Sequence, residues 1–137
     1  MKTYAGLVAG FLLSPGCEMP SCGGDPPKST GPVVVDITPE TLGAWMQEGT
    51  IVLIDVREQA EWDAEHIAGA ELRPLSIFDP TAIEADFEGK KVVFYCRSGG
   101  RSAMVAERFS TVVDEPVCHL QGGIEEWKAS GRPVAKQ

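Results

Sequence analysis

Cys96 is the residue in this chain best placed to do chemistry, because of the loop it opens: Cys96-Arg97-Ser98-Gly99-Gly100-Arg101-Ser102. The stretch runs straight on from the apolar segment Val92-Val93-Phe94-Tyr95 and into a helical pattern. Gly99 and Gly100 let the backbone turn tightly and take positive φ angles. Successive N–H groups in such a turn converge into an anion-binding nest. The N-terminus of the next helix adds its partial positive charge, and Arg97 and Arg101 add whole ones. Each of these favours a thiolate over a thiol, and the thiolate is the nucleophile. The expectation is covalent transfer through Cys96, with Arg97, Ser98, Gly99, Gly100, Arg101 and Ser102 as the cradle. Cys118 lies inside an apolar strand pattern with no glycine after it, and reads as a packing residue.

The elements around this loop alternate. Val33-Val34-Val35 is a short β-branched run, followed by Thr38-Pro39-Glu40, a helix start with Thr38 as N-cap and Pro39 in the first turn. Leu42, Trp45 and Met46 share a face of that helix, which ends at Gly49. Ile51-Val52-Leu53-Ile54 is apolar throughout, as expected of a strand covered on both faces. Glu58–Glu65 reads as a short acidic helix with Trp62 inward, Ala70–Leu72 as a brief strand, and Asp79-Pro80 as a helix start before Ile83 and Phe87. Lys91–Tyr95 is a second buried strand. Arg101–Phe109 is helical, with Met104, Val105 and Arg108 or Phe109 at helical spacing. Pro116–Leu120 and Ile124–Ala129 complete the alternation, closed by Gly131 and Pro133. Trp45, Trp62 and Trp127 are expected core anchors. Strands alternating with helices give an α/β fold, a mainly parallel sheet with helices on both faces. In such sheets ligands bind beyond the carboxyl ends of the strands, where Cys96 falls.

The chain has 137 residues, enough for one domain, and a formal net charge of −8 spread along its length. That surface repels phosphate backbones, so nucleic acid is not an expected partner. An anionic substrate needs a local cationic pocket, which gives the loop arginines their interest. The four cysteines show neither Cys-x-x-Cys spacing nor a disulfide-dense pattern, so no metal or cofactor is expected.

Residues 1–32 differ from the rest. Lys2 precedes an uncharged apolar stretch, Tyr4–Leu13, too short for a bilayer span of about twenty residues. It fits the hydrophobic core of a signal peptide over residues 1–16, with small Ser14 and Gly16 before Cys17. Cys17 also stands in a loose lipoprotein-box context, so any membrane association would run through an N-terminal lipid. Residues 17–32, with Cys17 and Cys22, read as a flexible linker on composition, and 33–137 as the folded domain. The expected location is periplasmic or membrane-anchored; the alternative is a cytoplasmic protein with a natural extension.

Four motifs together resemble the rhodanese family. The loop is similar to that family's active-site Cys-x-x-Gly-x-Arg. Asp55-Val56-Arg57 with Glu61-Trp62 resembles its first signature. His66-Ile67-Ala68-Gly69-Ala70 resembles His-Ile-Pro-Gly-Ala, with Ala68 in place of proline. Gln121-Gly122-Gly123-Ile124-Glu125-Glu126-Trp127 resembles its Gly-Gly-x-x-x-Trp ending. The resemblance covers roughly Val33 to Val134. It implies about five mainly parallel strands with helices on both faces, and a sulfurtransferase in which Cys96 carries a persulfide. The implied donor is a small anionic sulfur compound such as thiosulfate, or a persulfide. The implied acceptor is a thiol, cyanide or a protein. Arg97 is the expected steering residue for the donor. Asp55, Arg57 and His66 are expected in support, Asp55 and Arg57 as an ion pair and His66 ordering a neighbouring loop rather than serving as a base. His119 reads as a strand-end residue beside Gly122-Gly123.

Two alternatives stand beside this one. A persulfide carrier or binding module would act with a protein partner rather than turn over small molecules. A phosphatase or arsenate reductase of the related cysteine-loop type would need a loop one residue longer. From Cys96 to Arg101 this chain has the six-residue form.

In a cell, the expected product of the full sequence is a processed chain recovered outside the cytoplasm, its first residue Cys17. Peptide mass spectrometry checks this, and an intact Met1 peptide on soluble cytoplasmic protein is the opposite result.

Overall fold

The computed structural model describes residues 33–136. The expected signal peptide (1–16), the linker (17–32), Cys17 and Cys22 lie outside the described residues. In chain order the elements are β1 (Val34–Ile37), α1 (Pro39–Glu48), β2 (Ile51–Asp55), α2 (Gln59–Ala64), β3 (Glu71–Leu72), α3 (Pro80–Asp86), β4 (Lys91–Tyr95), α4 (Gly100–Phe109), β5 (Val117–Leu120) and α5 (Gly123–Ala129), with a 3-10 turn at Leu75–Ile77 that the sequence pattern does not announce.

Local chemistry sets the helix ends. Thr38 Oγ1 accepts the Thr41 N–H at 3.2 Å, Pro39 opens α1, and Gly49 closes it at φ 73°. Asp79 caps α3 in the same way, accepting from Thr81 and Ala82. Glu58 and Glu61 form a reciprocal capping box on α2.

The strands form one sheet in the order β1-β5-β4-β2-β3, every neighbouring pair parallel. The period of two along β4 divides the core. Val92 and Phe94 face Ile83, Val105 and Phe109 of α3 and α4. Val93 and Tyr95 face Leu42, Ile124 and Trp127 of α1 and α5. Both faces are therefore apolar, which explains the continuous hydrophobic runs of β2 and β4.

Three expectations about packing are corrected. Trp62 does not enter the core. Helix α2 buries none of its residues, and the Trp62 ring instead lies flat on His66, centroids 3.6 Å apart. Trp45 is half-buried against the core's margin, which leaves Trp127 as the one buried tryptophan of the three. Met104 is exposed on α4; the buried stripe is Ser102, Val105, Ala106 and Phe109. That spacing is helical, but its first member is polar, so counting apolar residues alone shifts the face.

The strand order also places the crevice. The connection from β2 leads outward to β3, while that from β4 leads the other way to β5. The ends of β2 and β4 therefore diverge, which is where doubly wound sheets bind ligands. Arg57 follows β2 there and Cys96 follows β4.

Candidate active site

Cys96 is 1% exposed, and its sulfur is the centre of a ring of donors. The Gly99 N–H points at Sγ from 3.1 Å and the Ser102 N–H from 3.3 Å. Ser102 Oγ lies 3.6 Å away. Burial pushes the thiol up. Hydrogen bonds from the Ser102 hydroxyl and from the N–H groups of Ser102, Gly99 and Ser98 outweigh it, and Cys96 ionises below the ordinary thiol range. Cys118 has burial without that ring, and its thiol is pushed up.

The loop holds this shape because α5 grips its outer side. Ile124 N–H donates to the Cys96 carbonyl at 2.9 Å and Glu125 N–H to the Arg97 carbonyl at 3.1 Å. In a trans peptide the C=O and the next N–H point in opposite directions. With the Arg97 carbonyl turned out to α5, the Ser98 N–H turns in toward sulfur. The grip also satisfies donors at the N-terminus of α5 that no helical carbonyl can reach. Gly123, at φ 64°, lies against the Cys96 and Arg97 carbonyls; a Cβ there would collide with both oxygens. Gly123 thus braces the Cys96 loop. Gly99 enters α4 at φ 110°, where a side chain would be strained.

Neither loop arginine stands unpaired. Arg101 forks onto Glu61 of α2 with two N–O distances of 3.0 Å. The Arg101 guanidinium lowers the Glu61 carboxyl to about 2, with the Glu58 N–H assisting against partial burial. Arg97 donates through Nε to Glu125 at 2.7 Å, and its side chain is 68% exposed. Arg97 is thus the more accessible cation, while Arg101 ties the loop to α2.

Asp55 and Arg57 are buried and joined by hydrogen bonds from Nε and a terminal nitrogen, the shortest 2.7 Å. Arg57 also donates to the Glu65 carbonyl at 2.7 Å, fastening the end of β2 to the segment after α2. His66 Nδ1 lies 2.9 Å from the Trp62 carbonyl, and the His66 backbone pairs with Ala135 near the end of the chain. Its ring is engaged with Trp62 of α2.

His119 lies in the expected last strand, and its buried bonding is what sequence reasoning missed. It is an interior residue of β5, 5% exposed, with Nδ1 3.0 Å from Ser102 Oγ and Nε2 2.7 Å from Asp36 Oδ1. Asp36 and His119 are register partners on β1 and β5, an adjacency that only the strand order creates. The available signal was a histidine inside an otherwise apolar strand, since a buried polar ring needs partners.

A parallel α/β sheet with a glycine-rich cysteine loop at its switch point, its N–H groups aimed at one sulfur, defines the class. Sequence comparison agrees. Residues 38–130 match the Rhodanese-like domain family, and the chain belongs to that family. An uncharacterised Synechocystis protein, slr1261, is 38% identical over 102 residues, covering 74% of this chain and 56% of that protein. The thiosulfate sulfurtransferase GlpE of Coxiella burnetii is 37% identical over 90 residues, covering 64% of this chain and 83% of GlpE. The chain thus spans little more than half of slr1261. Among solved structures, Saccharomyces cerevisiae Ygr203w superposes with a TM-score of 0.57 at 24% identity, covering 70% of this chain and 80% of that one. It is described as a homologue of single-domain rhodanese and of the Cdc25 phosphatase catalytic domain.

The bracing role of Gly123 can be separated from ordinary glycine strain. Gly131 has a similar positive φ, 86°, but nothing within 4 Å of a Cβ there. Gly131→Ala should cost only the left-handed penalty of about 1–2 kcal/mol and leave Cys96 reactivity intact. Gly123→Ala should destabilise more and move the pH midpoint of Cys96 alkylation upward. Urea unfolding and alkylation profiles check both; equal effects from the two variants would remove the brace.

Proposed function

We propose that the domain is a sulfurtransferase that carries sulfane sulfur as a persulfide on Cys96. The observation that carries this reading is the convergence of loop N–H groups on Sγ itself, at 3.1 and 3.3 Å. Such a ring stabilises the attacking thiolate, and the anionic outer sulfur of a persulfide would sit at its mouth. GlpE, a thiosulfate sulfurtransferase over most of whose length this chain aligns, supports the same chemistry.

In the first half-reaction the Cys96 thiolate attacks the outer sulfur of thiosulfate. A Cys96–S bond forms, the donor's S–S bond breaks, and sulfite leaves with the electron pair. In the second, a thiolate, cyanide or a protein nucleophile attacks the outer sulfur, and the Cys96 thiolate is restored. This is covalent ping-pong catalysis. No cofactor takes part in these steps. Exposed Arg97 is the residue proposed to meet an anionic donor at the loop's rim. Cys96 is nearly covered, which favours small donors over bulky esters.

The test is mass spectrometry after thiosulfate treatment. Wild type should gain one sulfur on the peptide carrying Cys96, removable by cyanide. Cys96→Ser should gain none and lose sulfurtransfer, while Cys118→Ala keeps most of it. Ready hydrolysis of aryl phosphates with no sulfur gain would replace this reading with the phosphatase one. Sulfur gain with turnover only by a protein acceptor would favour a persulfide carrier.

A further inference from the structure

The buried polar chain behind the sulfur has a definite hydrogen-bond direction. Cys96 Sγ, Ser102 Oγ, His119 Nδ1, and then His119 Nε2 and Asp36 Oδ1 stand in series at 3.6, 3.0 and 2.7 Å. Cys96 and His119 are buried and Ser102 is fully enclosed, so bulk water does not compete for these three; Asp36, at the outer end, is exposed. A carboxylate accepts hydrogen bonds and cannot donate them. Asp36 therefore requires a proton on Nε2. In the neutral imidazole, Nδ1 is then a lone pair, and it takes the Ser102 hydroxyl proton. The remaining lone pairs of Ser102 Oγ are left to accept the thiol proton of Cys96. The network written out is S–H to O–H to Nδ1, with Nε2–H to Asp36.

We propose that Ser102 and His119 form a proton relay for Cys96, with Asp36 fixing its direction. The S–H bond of Cys96 breaks and its proton passes to Ser102 Oγ. The proton already on Ser102 passes to His119 Nδ1. Sulfur keeps the electron pair, and no oxidant or reductant is needed. The products are a thiolate that accepts the Ser102 hydroxyl and an imidazolium held against the Asp36 carboxylate. In this form every hydrogen bond of the chain has reversed except the one to Asp36. The Gly99 carbonyl, 3.3 Å from Ser102 Oγ, is a competing acceptor for the hydroxyl. The imidazolium form removes that competition, because Nδ1–H then fills one Oγ lone pair and thiolate is the stronger acceptor.

The relay rests on the reading of Cys96 as the nucleophile, and it adds a proton acceptor to that reading. The N–H ring stabilises the thiolate once formed; the relay takes up its proton at a site closed to water. Ser102, which touches the reacting sulfur, is a catalytic residue in this scheme. His119 and Asp36 act through it and are positioning residues. The groups that elements around the His119 ring bring to it are Asp36 from β1, Ser102 of α4 with Cys96 beyond, and the uncharged Phe94 from β4.

The test is the pH dependence of Cys96 alkylation in the full chain, tracked by mass on the peptide that carries it. His119→Gln keeps a polar partner for Ser102 but takes no proton. Its alkylation rate at neutral pH should fall roughly tenfold, an upward shift of about one pH unit in the midpoint. At high pH, where every variant is thiolate, the rate should return to the wild-type plateau. A merely structural defect would lower the plateau instead and would overturn the relay. Asp36→Asn should shift the midpoint in the same direction by less. Its side chain is 57% exposed, so that variant decides the matter if His119→Gln does not fold. An unchanged midpoint in either folded variant overturns the proposal. Alkylation involves no sulfur transfer, so this result stands apart from thiosulfate loading: absence of persulfide would sink the sulfurtransferase reading and leave the relay standing.

Discussion

Two backbone hydrogen bonds shape the site: those from the Ile124 and Glu125 N–H groups to the Cys96 and Arg97 carbonyls. They turn those carbonyls outward, and planarity of the trans peptide then turns the next N–H inward. Without the grip, a loop with two glycines would have many conformations and no fixed focus. The grip needs α5 to approach the loop closely, and a Cβ at Gly123 would prevent it. It also needs β5 beside β4, which brings α5 to the mouth of the sheet. The geometry at one sulfur is thus coupled to β5 and α5, some twenty to thirty residues further along the chain.

The two described cysteines show that the ring and not burial sets the direction in which each thiol shifts. Both are nearly covered, Cys96 at 1% and Cys118 at 5% exposure. Burial penalises either thiolate. A hydrogen bond to a charged group is worth about 1.5–3 kcal/mol, and a pKa unit corresponds to about 1.4 kcal/mol. A few donors aimed at Cys96 therefore suffice to reverse the sign of the shift. Cys118 has the same chemistry without donors and moves the opposite way.

Much of this is legible in the residues, and each failure has its own physical cause. The runs Ile51–Ile54 and Lys91–Tyr95 announce strands covered on both faces because local apolarity is a local property. Thr38-Pro39 and Asp79-Pro80 announce helix starts for the same reason. The Cys96 loop is legible because glycine, serine and arginine between a strand and a helix have few other uses. His119 is not, since its partners come from β1 and α4 and are set by strand order. Trp62 misleads in the other direction: a large apolar ring reads as core, but a helix with no buried face gives it only His66 to stack on. Met104 misleads because the buried stripe of α4 begins with a serine.

The charges around the loop obey the same logic of pairing. The chain carries a net −8, and carboxylates are available to neutralise each cation of the loop. Arg101 is matched by Glu61 and Arg97 by Glu125. Solvent-accessible pairs of this kind contribute little to stability, about 0–1 kcal/mol each, so their value here is geometric. Arg101 bonds the start of α4 to α2, and Arg97 sits over α5, so each salt bridge links the loop to a different helix. With both arginines paired, the groups aimed at the sulfur are the Ser102 hydroxyl and the N–H groups of Ser102, Gly99 and Ser98. A negative charge formed on Cys96 is held by backbone that is already in place before the charge appears.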